Sequence, residues 1–354
     1  MFSLSEMPPA SNNSPRIRVR VTTTYPDQPL IRQTPHGSGI WGDHQFIINQ
    51  SCEEADWWVV ASGLRQPETC VVDPRNIVFV ANEPPAMKFK PGFLGQFAKV
   101  ITCDRSMKHQ GKLHASYGLP WWAGITMDRS RPHEFAAQPR FGYLDFKEMA
   151  PPRKEKFMSV IASRLQNLEG HRARSGFLDA LKNRYGDAVD FFGYHDTPLA
   201  DKWDGLAGYR YHLCIENTVC PDYWTEKIGD PLLAFALPVY HGCPNINDYF
   251  PDKSHLKIDI NDHEACFRTV EHLLANDPYH EHLPAISEAR EKVLDKYNFF
   301  AQMSALCRGP AATQRKVTLK PDHFYPTWRR LAGRLRRYVR GRLLPAVTAQ
   351  AGHH

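Results

Sequence analysis

Several signatures of common binding sites are missing from this sequence. Its eight cysteines form no CxxC pair, and no HExxH or GxxxxGK[ST] motif occurs. These absences argue against a zinc site of the usual spacing and a P-loop. No Asp-x-Asp motif is present either, so the sequence does not predict a divalent ion held by that motif under a diphosphate.

Long hydrophobic runs are missing as well. No apolar stretch reaches the ~20 residues that a membrane-spanning helix needs. The N-terminal segment MFSLSEMPPASNNSPRIRVR contains no apolar core of signal-peptide length. Cys103 and Cys214 lie inside apolar runs, where a free thiol behaves as a small hydrophobic group. We therefore expect reduced, structural cysteines and a cytoplasmic protein.

Excess positive charge is confined to one segment. The net charge is +6, but residues 329–342 (RRLAGRLRRYVRGR) contain seven arginines and no acidic residue. Without those seven charges, the remainder of the chain has a net charge of −1. A diffuse surface that binds nucleic-acid phosphates is therefore not predicted.

The length and the residue pattern predict two domains. The 354 residues, of which 42% are hydrophobic and 23% charged, suit two globular units of roughly 150 residues each. Residues 149–156 are rich in proline and charge and predict a linker. We expect an α/β fold in which two Rossmann-like domains face a central cleft. The expected segments are residues 1–150, residues 151–305 and a C-terminal segment of residues 306–354.

Apolar runs predict the secondary structure of both halves. Continuous runs without alternation are typical of parallel strands that are covered on both faces. The predicted strands are 17–23, 46–49, 57–61, 77–81 and 98–103, then 157–162, 189–193, 211–215, 238–240 and 256–260. The predicted helices are 171–185, 225–236, 262–276 and 284–300, and Pro231 should kink or shorten the second of them.

Residues 209–251 carry the most informative pattern. A buried strand ends in Glu216-Asn217, and Thr225-Glu226-Lys227 then begins a helix. Free backbone N–H groups and the helix dipole make such a helix start a site for phosphate. The alternative is that Thr225 only caps the helix, while Glu226 and Lys227 are solvated charges of its first turn. The Pro-Val-Tyr-His-Gly strand and turn that follow favour the binding site.

This ordered set of motifs resembles a known family. IEN, DYWTEK, ALPVYHG and YFPDKSHL occur in the order and spacing of the C-terminal domain of the α1,3/4-fucosyltransferases of glycosyltransferase family 10, bacterial type. The resemblance is close over residues 209–260 and looser over residues 157–193. It implies a GT-B fold and an inverting transfer of fucose from GDP-fucose to a glycan acceptor.

The resemblance also implies roles for individual residues. RSGFLDAL matches the family's Arg-x-x-Phe-x-x-x-Leu, so Arg174 corresponds to the arginine that holds the diphosphate, with Arg172 as a nearby competitor. An arginine supplies a planar fork of donors that fits phosphate oxygens. The remaining donor-binding residues implied by the match are Asn217, Tyr223, Glu226 and Lys227.

Glu83 is the candidate catalytic base. The strand at 77–81 is followed by Asn82-Glu83-Pro84-Pro85, which resembles the family's strand followed by Glu-Ser/Asn-Pro, although this chain lacks the usual Glu-Ser-Pro. An inverting transfer needs one carboxylate that takes the proton of the acceptor hydroxyl. The alternative is a glutamate in a turn ahead of two prolines. No cofactor is expected to be required, no metal ligands are predicted, and a divalent ion would at most stimulate the reaction.

Three aromatic pairs could stack against sugar rings of the acceptor. They are Trp57-Trp58, Trp121-Trp122 and Phe89/Phe93, and the alternative for each pair is packing under loops. His195, His212 and His241 are expected to pack or to lie at edges rather than to bind a metal.

The C-terminal residues 328–344 show the pattern of a basic amphipathic helix. An apolar stripe faces away from the arginines, which predicts contact with an anionic membrane surface and a peripheral location on the inner membrane face. The alternatives are docking on the first domain and binding of nucleic acid, which the near-neutral body disfavours. For the whole chain, the rival functions are transfer of another GDP-sugar and binding of a sugar or nucleotide without catalysis.

Overall fold

The computed structural model describes residues 16–25, 28–115, 120–128, 136–162, 169–193 and 197–326. The amphipathic helix predicted at 328–344 and His195 lie outside these ranges. Within them, no helix is both long and apolar enough to span a membrane.

The first half of the chain forms a twisted sheet with short helices. Its strands are β1 (Ile17–Thr23), β2 (Ile40–Trp41), β3 (His44–Ile48), β4 (Trp57–Ala61), β5 (Glu68–Val72), β6 (Ile77–Val80), β7 (Lys99–Thr102), β8 (Lys112–His114), β9 (Ile125–Asp128) and β10 (Ala136–Pro139), and its helices are α1 (Pro91–Leu94) and α2 (Tyr143–Glu148). The main sheet has the order β2-β3-β1-β4-β6-β7-β8. All neighbours in it are parallel except β2 and β3.

The second half alternates strands and helices around a parallel sheet. Its strands are β11 (Lys156–Ile161), β12 (Val189–Phe192), β13 (Tyr209–Ile215), β14 (Leu237–His241), β15 (Leu256–Lys257) and β16 (Arg315–Leu319), and its helices are α3 (Glu169–Tyr185), α4 (Glu226–Leu233), α5 (His263–Asn276), α6 (Tyr279–Glu291) and α7 (Phe299–Leu306). The sheet order is β12-β11-β13-β14-β15, and all of its neighbours are parallel. The predicted α/β class with two Rossmann-like domains that face a cleft is confirmed.

Continuous apolar runs form the central strands because both faces of each sheet are covered. Every residue of β4, Trp57–Ala61, is buried, and so is every residue of β6, Ile77–Val80. Buried strands of this kind lose all their water on both faces, so only apolar side chains fit them. One group of buried hydrophobic residues continues from the first sheet into the second, so the two units pack directly on each other.

The chain returns to the first unit after α6. The side chain of Asn298 donates a hydrogen bond to the Gln33 carbonyl at 2.9 Å, and His44 pairs with the Cys307 carbonyl at 2.7 Å. Strand β16 then pairs antiparallel with β5. Neither of these two strands was predicted, because they pair over a long sequence separation that no local pattern records. The domain boundaries at residues 150 and 305 stay a prediction.

Two predicted elements have the wrong extent. The helix predicted at 284–300 begins at Tyr279, carries Pro284 inside it, passes into a π-helix at Lys292–Lys296 and ends before Asn298. Asn298 breaks it because its side chain accepts a hydrogen bond from the Phe300 N–H and caps the next helix. The strand predicted at 256–260 has only two residues, and α4 ends at Leu233, as the shortening by Pro231 predicts.

Candidate active site

A cavity lies where the carboxyl ends of the first sheet face the start of α4. Its volume is about 160 Å³, and we call it the Glu83 cavity. Tyr25 and Glu83 line it from the first unit, and Thr225 and Glu226 line it from the second. A carboxylate from the first half and a helix start from the second therefore share one space, at the edge where α/β sheets bind ligands.

Glu83 lies just beyond β6 and is partly buried. Burial raises the pKa of its carboxyl above the ordinary value of a glutamic acid. A carboxylate that has lost part of its hydration is a stronger proton acceptor than one in free solution. The residue thus has the exposure and the basicity that a general base requires.

A second and larger cavity lies beside α3 and the ends of β11 and β13. Its volume is about 440 Å³, and we call it the Arg174 cavity. Arg174 is 4% exposed, and its guanidinium donates a hydrogen bond to Asn217 at 2.7 Å. Arg172, the competitor of Arg174 on the same helix, is exposed. The helix turn therefore selects Arg174 as the arginine that lines the cavity.

The start of α4 is held by a buried carboxylate. The Thr225 side chain caps the helix by accepting from the Lys227 N–H, and Glu216 accepts hydrogen bonds from both the N–H and the hydroxyl of Thr225 at 2.8 Å. Gly242 makes room for Glu216, because a Cβ at that position would lie 2.5 Å from the Glu216 side chain. The glycine of the Pro-Val-Tyr-His-Gly motif is thus needed for the geometry of the helix start.

Glu226 lies between two lysines. Its Oε1 is 3.6 Å from the Nζ of Lys227 and 3.6 Å from the Nζ of Lys202. Burial alone would raise the pKa of Glu226, but Lys227 and Lys202 more than offset this and lower it to about 2. The carboxylate is therefore ionised at neutral pH and can accept hydrogen bonds from hydroxyl groups. Thr225 does cap the helix, but Glu226 and Lys227 are not free, solvated charges.

Tyr223 is buried where carboxylates of both units act on it. It is 4% exposed, and its pKa is raised first by burial and then by the negative charges of Glu216, Glu226 and Glu83. The preceding residue, Asp222, has φ of 64°, an unusual conformation for a residue with a Cβ. The Arg105 guanidinium of the first unit holds Asp222 in this conformation at 2.7 Å.

Most residues of the predicted aromatic pairs pack in the interior, and Trp122 lines the Glu83 cavity. Trp57, Trp58, Trp121 and Phe93 are buried in the hydrophobic interior, as the packing alternative predicts. Trp122 differs because it is only partly buried and lines the Glu83 cavity. Its backbone N–H donates a hydrogen bond to Asp230 of α4 at 2.9 Å, which ties this wall to the second unit.

The histidines of the second sheet are buried. Burial lowers the pKa of His212 to about 3, and its ring pairs with Ser159 at 2.8 Å. His241 contacts the Ile258 carbonyl at 3.2 Å. Among the described residues, no group of three or more His, Cys, Asp or Glu side chains is arranged to hold a metal ion.

The structure brings all of the predicted site residues except Tyr223, which is buried and lines neither cavity, together around two adjoining cavities. Glu226 lines both of them, Glu83 lines the first, and Arg174, Asn217 and Lys227 line the second. Sequence reasoning missed Lys202, which lines the Arg174 cavity, and Asp230, which pairs with it. Neither residue belongs to a motif that signals binding. Only the structure identifies them, because it shows the ion pairs that Lys202 forms with Asp230 and Glu226.

Part of the chain is similar to a known protein family. Residues 151–309 match the family described as Glycosyltransferase family 10 (fucosyltransferase) C-term. Alpha-(1,3)-fucosyltransferase B of Drosophila melanogaster is 40% identical over 68 residues, which are 19% of this chain and 15% of that protein. GDP-fucose protein O-fucosyltransferase 3 of Danio rerio is 41% identical over 68 residues, again 19% of this chain and 15% of that protein. The chain therefore spans less than a fifth of the length of these two relatives.

A solved structure aligns with most of the chain. The crystal structure of an α1,3-fucosyltransferase with GDP aligns with 84% of this chain and 96% of its own, at 18% sequence identity and a TM-score of 0.48. The family match covers the Arg174 cavity and the start of α4, where the ordered motifs of the second half lie. Residues 151–309 are therefore similar to the C-terminal domain of glycosyltransferase family 10.

Proposed function

We propose that this protein is an inverting glycosyltransferase that moves fucose from GDP-fucose to a hydroxyl of a glycan containing N-acetylglucosamine or glucose, such as a lipopolysaccharide or another surface glycan. The observation that carries the proposal is that Glu83 of the first unit and Glu226 of the second line one cavity. The family of residues 151–309 and the names of the relatives support fucose as the sugar and GDP-fucose as its donor.

The Arg174 cavity would hold the donor. Its cations, Arg174 and Lys227, suit a diphosphate, because a guanidinium fork and an ammonium both donate charge-assisted hydrogen bonds to phosphate oxygens. The N-terminus of α4 adds its dipole. The ionised Glu226 would accept hydrogen bonds from sugar hydroxyls, and because Glu226 also lines the Glu83 cavity, the anomeric carbon would lie toward that cavity.

Glu83 would act on the acceptor. Its carboxylate removes the proton of an acceptor hydroxyl while that oxygen attacks the anomeric carbon from the side opposite the leaving group. The bond between the anomeric carbon and the phosphate oxygen breaks, and GDP leaves with the electron pair. Arg174 and Lys227 stabilise the charge that develops on GDP. An α-linked product then forms from a β-linked donor.

The location is part of the same proposal. We place the protein at the cytoplasmic face of the inner membrane, with residues 328–344 on an anionic lipid surface. The support is the arginine content of that segment and its apolar stripe. Acceptors linked to lipid would then reach the Glu83 cavity from the same surface.

A GDP-release assay with several donors tests the proposed function. The purified chain is incubated with GDP-fucose, GDP-mannose or a UDP-sugar, with and without short glycan acceptors that end in N-acetylglucosamine or glucose. We expect release of GDP from GDP-fucose, stimulated by an acceptor and insensitive to EDTA. Preference for GDP-mannose would indicate another GDP-sugar transferase, and binding of GDP without release would indicate a protein that binds the nucleotide without catalysis.

A further inference from the structure

A buried acid-base network lies behind Glu226. The ammonium of Lys202 is 3.2 Å from the Oδ2 of Asp230 and 3.6 Å from the Oε1 of Glu226. Asp230 is 2% exposed and Lys202 has a side chain that is 27% exposed. Lys202 precedes β13 in a short 3-10 turn, whereas both carboxylates belong to α4. The contact therefore joins two elements that the sequence keeps apart.

We propose that Lys202 is a positioning residue for the donor sugar: its ammonium, anchored by Asp230, holds the Glu226 carboxylate in the orientation that accepts hydrogen bonds from the sugar hydroxyls. The inference rests on the proposed function, because it assumes that a sugar occupies the Arg174 cavity. It adds a residue that none of the sequence motifs contains.

The contacts of Asp230 explain why Lys202 has a fixed position. One carboxylate oxygen of Asp230 accepts the Trp122 N–H at 2.9 Å, and the other pairs with Lys202. Both oxygens are thus engaged, and a buried carboxylate with two partners cannot turn without losing one of them. Asp230 thereby holds the Lys202 ammonium on one side and the Trp122 wall of the Glu83 cavity on the other.

The two lysines that contact the Glu226 carboxylate, Lys202 and Lys227, would have different roles. Lys227 also contacts Glu216 at 3.4 Å and the Thr225 hydroxyl at 3.3 Å, so it belongs to the start of α4, where the diphosphate is expected. Lys202 instead forms its ion pairs with Asp230 and Glu226. We therefore expect Lys227 to serve the diphosphate and Lys202 to serve the sugar end of the donor.

Charged groups on several elements of the structure influence the ionisation of Glu226. Loss of one lysine leaves the burial cost less well offset, so the pKa of Glu226 should rise and donor binding should weaken at acidic pH. The charged and titratable groups that face Glu226 are Lys202, Lys227, Glu216, Asp230, Tyr223, Tyr25 and Glu83.

Equilibrium binding of GDP and of GDP-fucose to the full chain tests the inference. We expect Lys202→Met to weaken GDP-fucose binding about tenfold at pH 8, and more at pH 5.5, while GDP binding changes less than about twofold. Lys202→Arg should restore most of the preference for GDP-fucose. Lys156→Met is the matched control, because Lys156 pairs with Asp190 at 3.0 Å on the same sheet but lies outside both cavities.

A second variant covers the case in which Lys202→Met does not fold. Asp230→Asn keeps an oxygen for the Trp122 N–H but loses the negative charge that faces Lys202, and we expect the same selective loss of GDP-fucose binding. Equal loss of GDP and GDP-fucose affinity in these variants, or no loss, would overturn the inference, because Lys202 would then bind the diphosphate or only support the fold. Wild-type protein that binds neither ligand would overturn the proposed function itself, and the inference with it.

Discussion

Glu83 of the first unit and Glu226 of the second line one cavity, and their environments move their pKa values in opposite directions. Burial raises the pKa of Glu83, whereas Lys227 and Lys202 lower that of Glu226 to about 2 against the effect of burial. Two carboxylates with separated pKa values can do different chemistry at one pH. In the proposed mechanism, Glu83 accepts a proton, and Glu226 stays ionised and binds hydroxyl groups.

The raised pKa of Glu83 predicts a pH dependence of both activity and stability. Because the base must be ionised, kcat/KM should rise with pH through a value above 4.5, the ordinary pKa from which burial shifts Glu83. Between that ordinary value and the raised value, the unfolded chain has lost the proton that the folded chain retains, so stability falls as pH rises. Glu83→Gln should therefore melt at a higher temperature than wild type at pH 8.

Thermal melting of the two proteins from pH 4 to pH 8 measures this second effect. The difference should vanish toward acidic pH, where the wild-type carboxyl is protonated in both states. A Glu83→Gln variant that is less stable than wild type at pH 8 would mean that the carboxylate makes favourable contacts and is not poised as a base.

Arg174 should determine nucleotide affinity, and its neighbour Arg172 should not. Arg174→Lys keeps the positive charge but loses the planar fork that contacts Asn217 and fits phosphate oxygens. We expect GDP affinity to fall about tenfold or more, measured by calorimetry. The exposed Arg172→Lys is the matched control and should bind GDP like wild type. Equal losses in both variants would contradict the assignment.

Substitution of Trp122 should weaken acceptor binding, whereas substitution of Trp121 should lower the stability of the fold. Trp122→Ala removes a ring from the wall of the Glu83 cavity, so we expect the KM for the acceptor to rise about tenfold with unchanged GDP affinity. Trp121→Ala instead empties a site in the hydrophobic interior, where Trp121 is 2% exposed and packs edge-on against Phe146. That change should lower the free energy of unfolding by about 3–5 kcal/mol.

Acceptor kinetics and chemical denaturation of the two variants distinguish these effects. Trp122→Phe should recover acceptor binding in part, because it retains an aromatic face. If Trp122→Ala altered GDP affinity and acceptor KM together, the Trp122 ring would support the packing of the two units rather than bind the acceptor.

The C-terminal segment should control membrane binding without affecting chemistry. Deletion of residues 328–354 removes seven arginines of the basic stretch, so we expect loss of sedimentation with vesicles that contain phosphatidylserine. Vesicles of phosphatidylcholine alone provide the uncharged control. GDP release with a soluble acceptor should be the same with and without the segment. Unchanged sedimentation after the deletion would contradict the prediction, because residues 328–354 would then not carry the membrane contact.

The central strands and the donor-side cluster could be predicted from the sequence. A strand such as Trp57–Ala61 is apolar throughout because it is buried on both faces, and a local run reveals this. Thr225, Glu226 and Lys227 follow a buried strand and start a helix, so their place at the edge of a sheet follows from chain order.

Other features depend on contacts that no local pattern records. Strand β5 finds its partner in β16, far along the chain, and both strands contain polar residues. Lys202 lies in a short turn without periodicity, and its importance becomes visible only when α4 presents Asp230 and Glu226 to it. The same is true of Trp122, whose position beside Glu83 depends on how the two units pack.

The most direct test of the account compares two quantities in one preparation of Glu83→Gln. Transfer of fucose to an acceptor and equilibrium affinity for GDP-fucose are both measured beside wild type. The account predicts that transfer falls by about 10²-fold or more, while affinity for GDP-fucose stays within about twofold. Normal transfer by this variant would contradict the account, because proton removal could not then depend on the carboxylate that faces the second unit across the cleft.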